Sequence, residues 1–252
     1  MYNLVSAILW VCIGALPVTS HEMWIEAPAK TSPEGQYTTP VVFIGEELEG
    51  KRYVFDPVKF EQAIWAGPET TSDLRLNTRS QGDVRLDAFG YGLHILALQS
   101  YPGKHLYPTE SAFLKFVRSV GLEGRVNTAQ PSVTEDGYVH ETYQRYAKTL
   151  VRFDGKNQSD KRVGLEKEWV REQVGFRLYS GRKTVENQPA WLYCRPSDGG
   201  EVKTALLETD DTGLVHAELP AQSQCLLNAV ILRQQADGSW FSEWVSTFFD
   251  TK

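Results

Sequence analysis

The sequence predicts a mainly β protein: two β-sandwich, Ig-like domains with a short helical segment between them. Three observations carry this expectation. Aromatic residues make up 12% of the 252 residues, with seven Trp and eleven Tyr, and such side chains pack well on pleated sheets. Short apolar runs follow turn signals: YTTPVVFIG comes after Pro33-Glu34-Gly35, and LHILALQS after Gly90-Tyr91-Gly92. The last third repeats the pattern in FRLYS, AWLYCRP, VKTALLETD, CLLNAVILRQ and WFSEWVSTFFD, runs of strand length bounded by turn residues.

The chain opens on residues 4–16, LVSAILWVCIGAL, which hold no charge. The run has the length of a secretory h-region and is too short to span a bilayer. Pro17 follows it, and Val18-Thr19-Ser20 puts small side chains where a signal peptidase cuts. Residues 1–20 are therefore expected to be a signal peptide, removed between Ser20 and His21, although Met1-Tyr2-Asn3 lacks the usual Lys or Arg. No second apolar run is long enough to cross a membrane, so the expected mature product is periplasmic or secreted, with no transmembrane segment.

The N-terminal sandwich is expected over 21–107. In LHILALQS, His94 falls on the face opposite Leu93 and Ile95, so it points to solvent, to a groove between domains or to a ligand. A helical connector and linker is expected over 108–165. Pro108-Thr109-Glu110 opens SAFLKFVRSVG, where Phe113, Phe116, Val117 and Val120 keep helical spacing and Gly121 ends the run. VHETYQRYAKTLVRF reads as a second amphipathic segment; as a helix it would expose the ETYQRYAK charges, with Glu141 and Arg145 at i, i+4. DGKNQSDKRVG, residues 154–164, is polar and aperiodic and reads as the best linker. The C-terminal Ig-like sandwich is expected over 166–252, with TDDTGLVHAELP as a turn and strand.

Two cysteines follow residue 20, Cys194 and Cys225. Both sit in strand-like runs of a chain bound for an oxidising compartment, so a disulfide is expected. It would close a loop of about 30 residues and contribute roughly 3 kcal/mol. Net charge is -6 with both signs interspersed, which leaves no basic stripe for a phosphate backbone. Nucleic acid is not an expected partner. The GxSxG elbow, HExxH pair, phosphate-cradling Gly loop and dinucleotide fingerprint do not occur, so no enzyme activity is expected. Glu166 and Glu168, near Trp169, read as solvated surface charges.

The five histidines are His21, His94, His105, His140 and His216. Cleavage before His21 would give it two donors for one metal, the α-amine and the imidazole Nδ1, closing a six-membered chelate ring. The amine has a reference pKa near 7.7–8.0, so freeing it of its proton at neutral pH costs only about 1 kcal/mol. Nitrogen donors suit Ni(II), Cu(II) and Zn(II). The expected metal site is His21 with a further imidazole, His94 first and His140 second. His105 reads as a loop residue and His216 as a surface one.

The order of a signal peptide, HEMWIE at the new N-terminus, GLHILALQS, ETYQRYAKTLVRF and TDDTGLVHAELP resembles a periplasmic domain-of-unknown-function family associated with nickel and cobalt uptake, the NikM-like accessory proteins. The most specific pieces are His21 followed by Trp24, and RYAK at Arg145–Lys148. Where the family pattern often has a His in the penultimate strand, this chain has Ile231. The resemblance implies a non-enzymatic, metal-binding accessory of nickel or cobalt uptake that serves a membrane metal transporter; the nitrogen donors of the expected site make Ni(II) or Cu(II) the expected ion. Two other classes remain open: a structural or partner-binding sandwich without metal, and an N-terminal-His copper oxidase.

Overall fold

The structure is a computed structural model that describes residues 21–76, 84–126, 133–154 and 159–251. The expected signal peptide lies outside the described residues, as does part of the expected linker, 155–158. From the N-terminal side the strands are β1 (Glu22–Glu26), β2 (Ala29–Ser32), β3 (Gly35–Thr38), β4 (Val41–Glu46), β5 (Glu49–Val54), β6 (Phe60–Ala66), β7 (Thr71–Asp73), β8 (Leu86–Asp87), β9 (Leu93–Ser100) and β10 (Gly103–Tyr107). Helix α1 (Glu110–Ser119) follows, then β11 (Val139–Arg152), β12 (Lys167–Glu172), β13 (Gly175–Ser180), β14 (Lys183–Thr184), β15 (Pro189–Pro196), β16 (Lys203–Glu208), β17 (Leu214–Val215), β18 (Ser223–Gln234) and β19 (Trp240–Asp250). The class is mainly β, as the alternating runs predict. Among the described residues no helix is long and apolar enough to cross a membrane.

One sheet runs through both halves of the chain, in the order β16-β15-β18-β19-β11-β9-β6-β7, with β10 also pairing β11. The junction is the parallel pairing of β11 with β19, from Glu141 opposite Trp240 to Thr149 opposite Phe248. The boundaries expected at 107 and 165 therefore do not separate two sheets. Such a non-local pairing leaves no local trace in the sequence.

VHETYQRYAKTLVRF is a strand, which corrects the helical reading. It pairs with β9 on one side and β19 on the other, so sheet partners on both sides meet its backbone groups. Its side chains alternate. Ala147 and Val151 enter one core with Met23, Ile25, Leu96 and Leu98, while Tyr146 and Leu150 enter a second with Trp169, Leu227 and Val245. The three-stranded sheet β1-β4-β5 lies over the first face, and the β12-β13-β14 sheet, extended by β17, over the second.

The charges expected on an exposed helix face are buried. Glu141, Arg145 and Lys148 are all closed off from solvent. The i, i+4 spacing of Glu141 and Arg145 puts them on one face of a strand as well as of a helix, because four is a multiple of two. Glu168, expected at the surface, is buried too, whereas Glu166 is exposed. The described end of the expected linker is also built into the interior: Lys148 Nζ lies 2.8 Å from Asp160 Oδ1 and 3.7 Å from Glu168 Oε2, and donates to the carbonyls of Lys161 and Trp169.

Helix α1 forms where expected. Thr109 caps it by accepting the Ala112 N–H at 3.1 Å, and Gly121, at φ 76°, takes the left-handed conformation that ends it. Phe113, Phe116 and Val117 pack on Tyr107, Trp240 and Trp244. The expected disulfide is present, joining Cys194 and Cys225 across paired positions of β15 and β18, with Cα atoms 4.2 Å apart.

Candidate functional site

His21 precedes β1 at the end of the small sheet, against the turn that joins β4 to β5. That turn has two left-handed non-glycine residues in succession, Glu47 at φ 54° and Leu48 at φ 65°. This is the backbone of the two-residue hairpins that suit strand twist, held against its steric cost by burial of Leu48 beside Trp24, Leu226 and Phe248. Arg195 clamps the turn by donating to the Leu48 carbonyl. The result places Glu46 beside His21, with Glu46 Oε1 3.0 Å from His21 Nδ1.

An open groove of about 1130 Å³ runs around this hairpin tip. Its rim carries His21, Glu46, Glu47, Glu49 and Glu201 against Lys51 and Arg195. Acidic side chains outnumber basic ones, so the groove favours a cation.

Behind His21 stands β11. Arg145 Nε donates to the His21 carbonyl at 2.7 Å, and the guanidinium lies 4.4 Å from the centre of the Tyr143 ring. Burial pushes the Arg145 pKa down from its ordinary value. Tyr143 sits against Gly103, where an added Cβ would lie only 2.3 Å from the ring; glycine at this position is what lets the ring approach.

Glu22, the next residue, points the other way into the interior. Burial pushes its carboxyl up to about 8, against the lowering influence of the Glu47 N–H and the Tyr193 hydroxyl. Asn228 Nδ2 donates to its Oε1 at 3.3 Å. At neutral pH Glu22 is mostly the neutral acid.

The histidines expected to join His21 are elsewhere. His94 is fully buried in an aromatic cluster with Trp65, Phe89 and Phe153. The Phe89 N–H donates to its Nε2 at 2.8 Å, and its Nδ1 faces the Gly92 carbonyl at 3.3 Å. Both ring nitrogens are thus used by the backbone, and burial lowers its pKa. It pairs opposite Val151, six residues along β11 from Arg145, a distance of roughly 20 Å at strand rise. It is a structural histidine, and the structure does not bring it to His21.

His140 is on the opposite face of β11 from Arg145, by its even position, and its Nε2 lies 2.8 Å from Asp136 Oδ2. His216 is exposed, 3.9 Å from Asp210. The imidazole that does neighbour His21 is His105, read from the sequence as a loop residue. It belongs to β10, opposite Glu141, and packs edge-on against Tyr107 at 4.4 Å. Its pKa is lowered by burial first and by the nearby His21 imidazole second. The alternation of His105 and Tyr107 with Lys104 and Leu106 was the available signal.

Among the described residues no three His, Cys, Asp or Glu side chains are grouped to hold a metal ion by themselves. Comparison of the chain with family models, with curated proteins and with solved structures finds no match.

Proposed function

We propose that this chain is an exported, non-enzymatic accessory protein of nickel or cobalt uptake, and that it takes its cargo ion at His21 once the leader is removed. The observation that carries this reading is the 3.0 Å separation of His21 Nδ1 and Glu46 Oε1 on the rim of an acidic groove. Two donors bound to one ion at about 2.0–2.2 Å and at right angles lie about 3 Å apart, so the pair fits one ion. The third donor is the α-amine that cleavage would create, and His105 is the neighbouring imidazole. This donor set of nitrogen with one carboxylate suits Ni(II) or Cu(II).

The cysteine pair, buried and joined, supports export to an oxidising compartment. The charge balance of the groove supports a cation as cargo. The partner would be a membrane transporter that receives the ion.

The test compares mature protein beginning at His21 with the same protein carrying one alanine ahead of it. Every side chain is kept, and only the amine donor is displaced. Calorimetric titration with Ni(II) should show at least about tenfold weaker binding for the extended protein, roughly 1.4 kcal/mol. Equal affinities would reject the chelate and favour a partner-binding sandwich protein without metal.

A further inference from the structure

Three cationic side chains among the described residues are buried: Arg145 at 8% exposure, Lys167 at 5% and Lys148 at 1%. A charge removed from water needs a counter-charge, because the interior solvates it poorly. Two of the three have one. Lys148 is paired with Asp160 and Glu168, and Lys167 lies 3.0 Å from Glu243. Arg145 has none: its guanidinium holds the His21 carbonyl and the Tyr143 side chain, and no carboxylate of the described residues lies within ion-pair distance. Glu141, the acid that influences it from nearby, is already held by the Tyr107 and Ser242 hydroxyls.

The exception holds the backbone carbonyl of His21, the first residue of the candidate site. From this we infer that Arg145 is an anion receptor, and that the ligand of the His21 site carries a carboxylate which the guanidinium binds. Nε is committed to the His21 carbonyl, which leaves the two terminal NH2 groups of the planar fork. These can match the two oxygens of a carboxylate, which an ammonium cannot do in the same way. In metal-free exported protein the N-terminal ammonium would add a positive charge on the residue whose carbonyl Arg145 holds. The exposed Tyr53, close enough to influence Arg145, supplies a further wall.

This inference stands without the metal reading. Where both hold, the cargo is a metal ion carried as a complex with an organic acid, its metal at His21 and Glu46 and its carboxylate on Arg145.

The experiment uses mature protein freed of metal with a chelator and dialysed. Acetate, succinate and citrate are titrated calorimetrically at neutral pH, first without metal and then as their Ni(II) mixtures. At least one carboxylate should bind the metal-free protein. Arg145→Lys should weaken that binding at least tenfold, and Arg145→Met should abolish it. Arg145→Lys keeps the charge, so the comparison survives should the methionine variant fail to fold, which near-UV circular dichroism reports. No binding of any of the three acids to the wild-type protein, or equal binding to wild type and Arg145→Lys, would overturn the inference. Carboxylate binding with no response to Ni(II) would support it while rejecting the metal reading.

Discussion

Arg145 and Lys148 lie three residues apart on β11, face opposite sides of the same sheet, and are provided for in opposite ways. Lys148 is enclosed by Asp160, Glu168 and two carbonyls. Arg145 is nearly as buried but meets a carbonyl and a tyrosine ring. The histidines differ in their setting. His94 has both ring nitrogens occupied by backbone in a closed aromatic cluster, whereas His21 stands at a groove beside Glu46. A buried polar group whose partners are complete belongs to the architecture. A buried charge that meets no opposite charge, as at Arg145, points to a ligand. Four measurements can break or sharpen that contrast.

The largest effect is expected at Glu22, behind the site. Its folded pKa of about 8 lies above its ordinary 4.5, so the native state holds a proton that the unfolded state releases. Its contribution to stability is fully present below about pH 4.5 and is lost as pH rises through 8. The span is on the order of 5 kcal/mol. Urea denaturation of metal-free protein across this range should show the decline, and Glu22→Gln should flatten it. An unchanged slope in the variant would mean the carboxyl is solvated.

Next comes the closed side of the sheet. Lys148→Met leaves Asp160 and Glu168 without their shared cation and should destabilise by about 3–5 kcal/mol. Pairing this substitution with Asp160→Asn should recover part of the loss, since the two groups are in contact. Additive losses would contradict the ion pair.

On the open side, Arg145→Met should change the stability of ligand-free protein by no more than about 1 kcal/mol, because no carboxylate loses its partner. A loss as large as that of Lys148→Met would erase the contrast.

The smallest effect is at the β4–β5 turn. Glu47→Gly relieves a left-handed φ at the cost of a more flexible unfolded chain, for a net gain of about 0.5 kcal/mol. A thermal midpoint lower than wild type would show that the Glu47 side chain supports the turn.

The sequence makes the class legible because alternation is local: LHILALQS and CLLNAVILRQ each declare a strand without help from elsewhere. The capped helix after Pro108 is legible for the same reason, as is the disulfide from its placement in two strand-like runs. β11 is not legible. Its Glu141, Arg145 and Lys148 look like a solvated face, and burial of Lys148 depends on Asp160, from a segment that reads as linker, and on Glu168, which reads as a surface charge. The parallel junction with β19 depends on residues about a hundred positions away. At the candidate site, His21 is visible from its place after the small residues of the expected cleavage point, and Glu46 is not, because the hairpin that carries it to His21 turns on Glu47 and Leu48, residues with no turn signature. His94 is correctly placed on its strand face, but its backbone partners, the Phe89 N–H and the Gly92 carbonyl, come from a bend whose course no periodicity gives.

The central claim is that the His21 end of the molecule receives a ligand ion. Crystals of mature protein beginning at His21, grown with Ni(II) and measured on both sides of the nickel absorption edge, test it most directly. An anomalous peak about 2.0–2.2 Å from His21 Nδ1, within reach of Glu46 and the terminal amine, is the predicted result. A nickel peak only at His140 with Asp136, or none at the His21 end of a fully titrated protein, would contradict it.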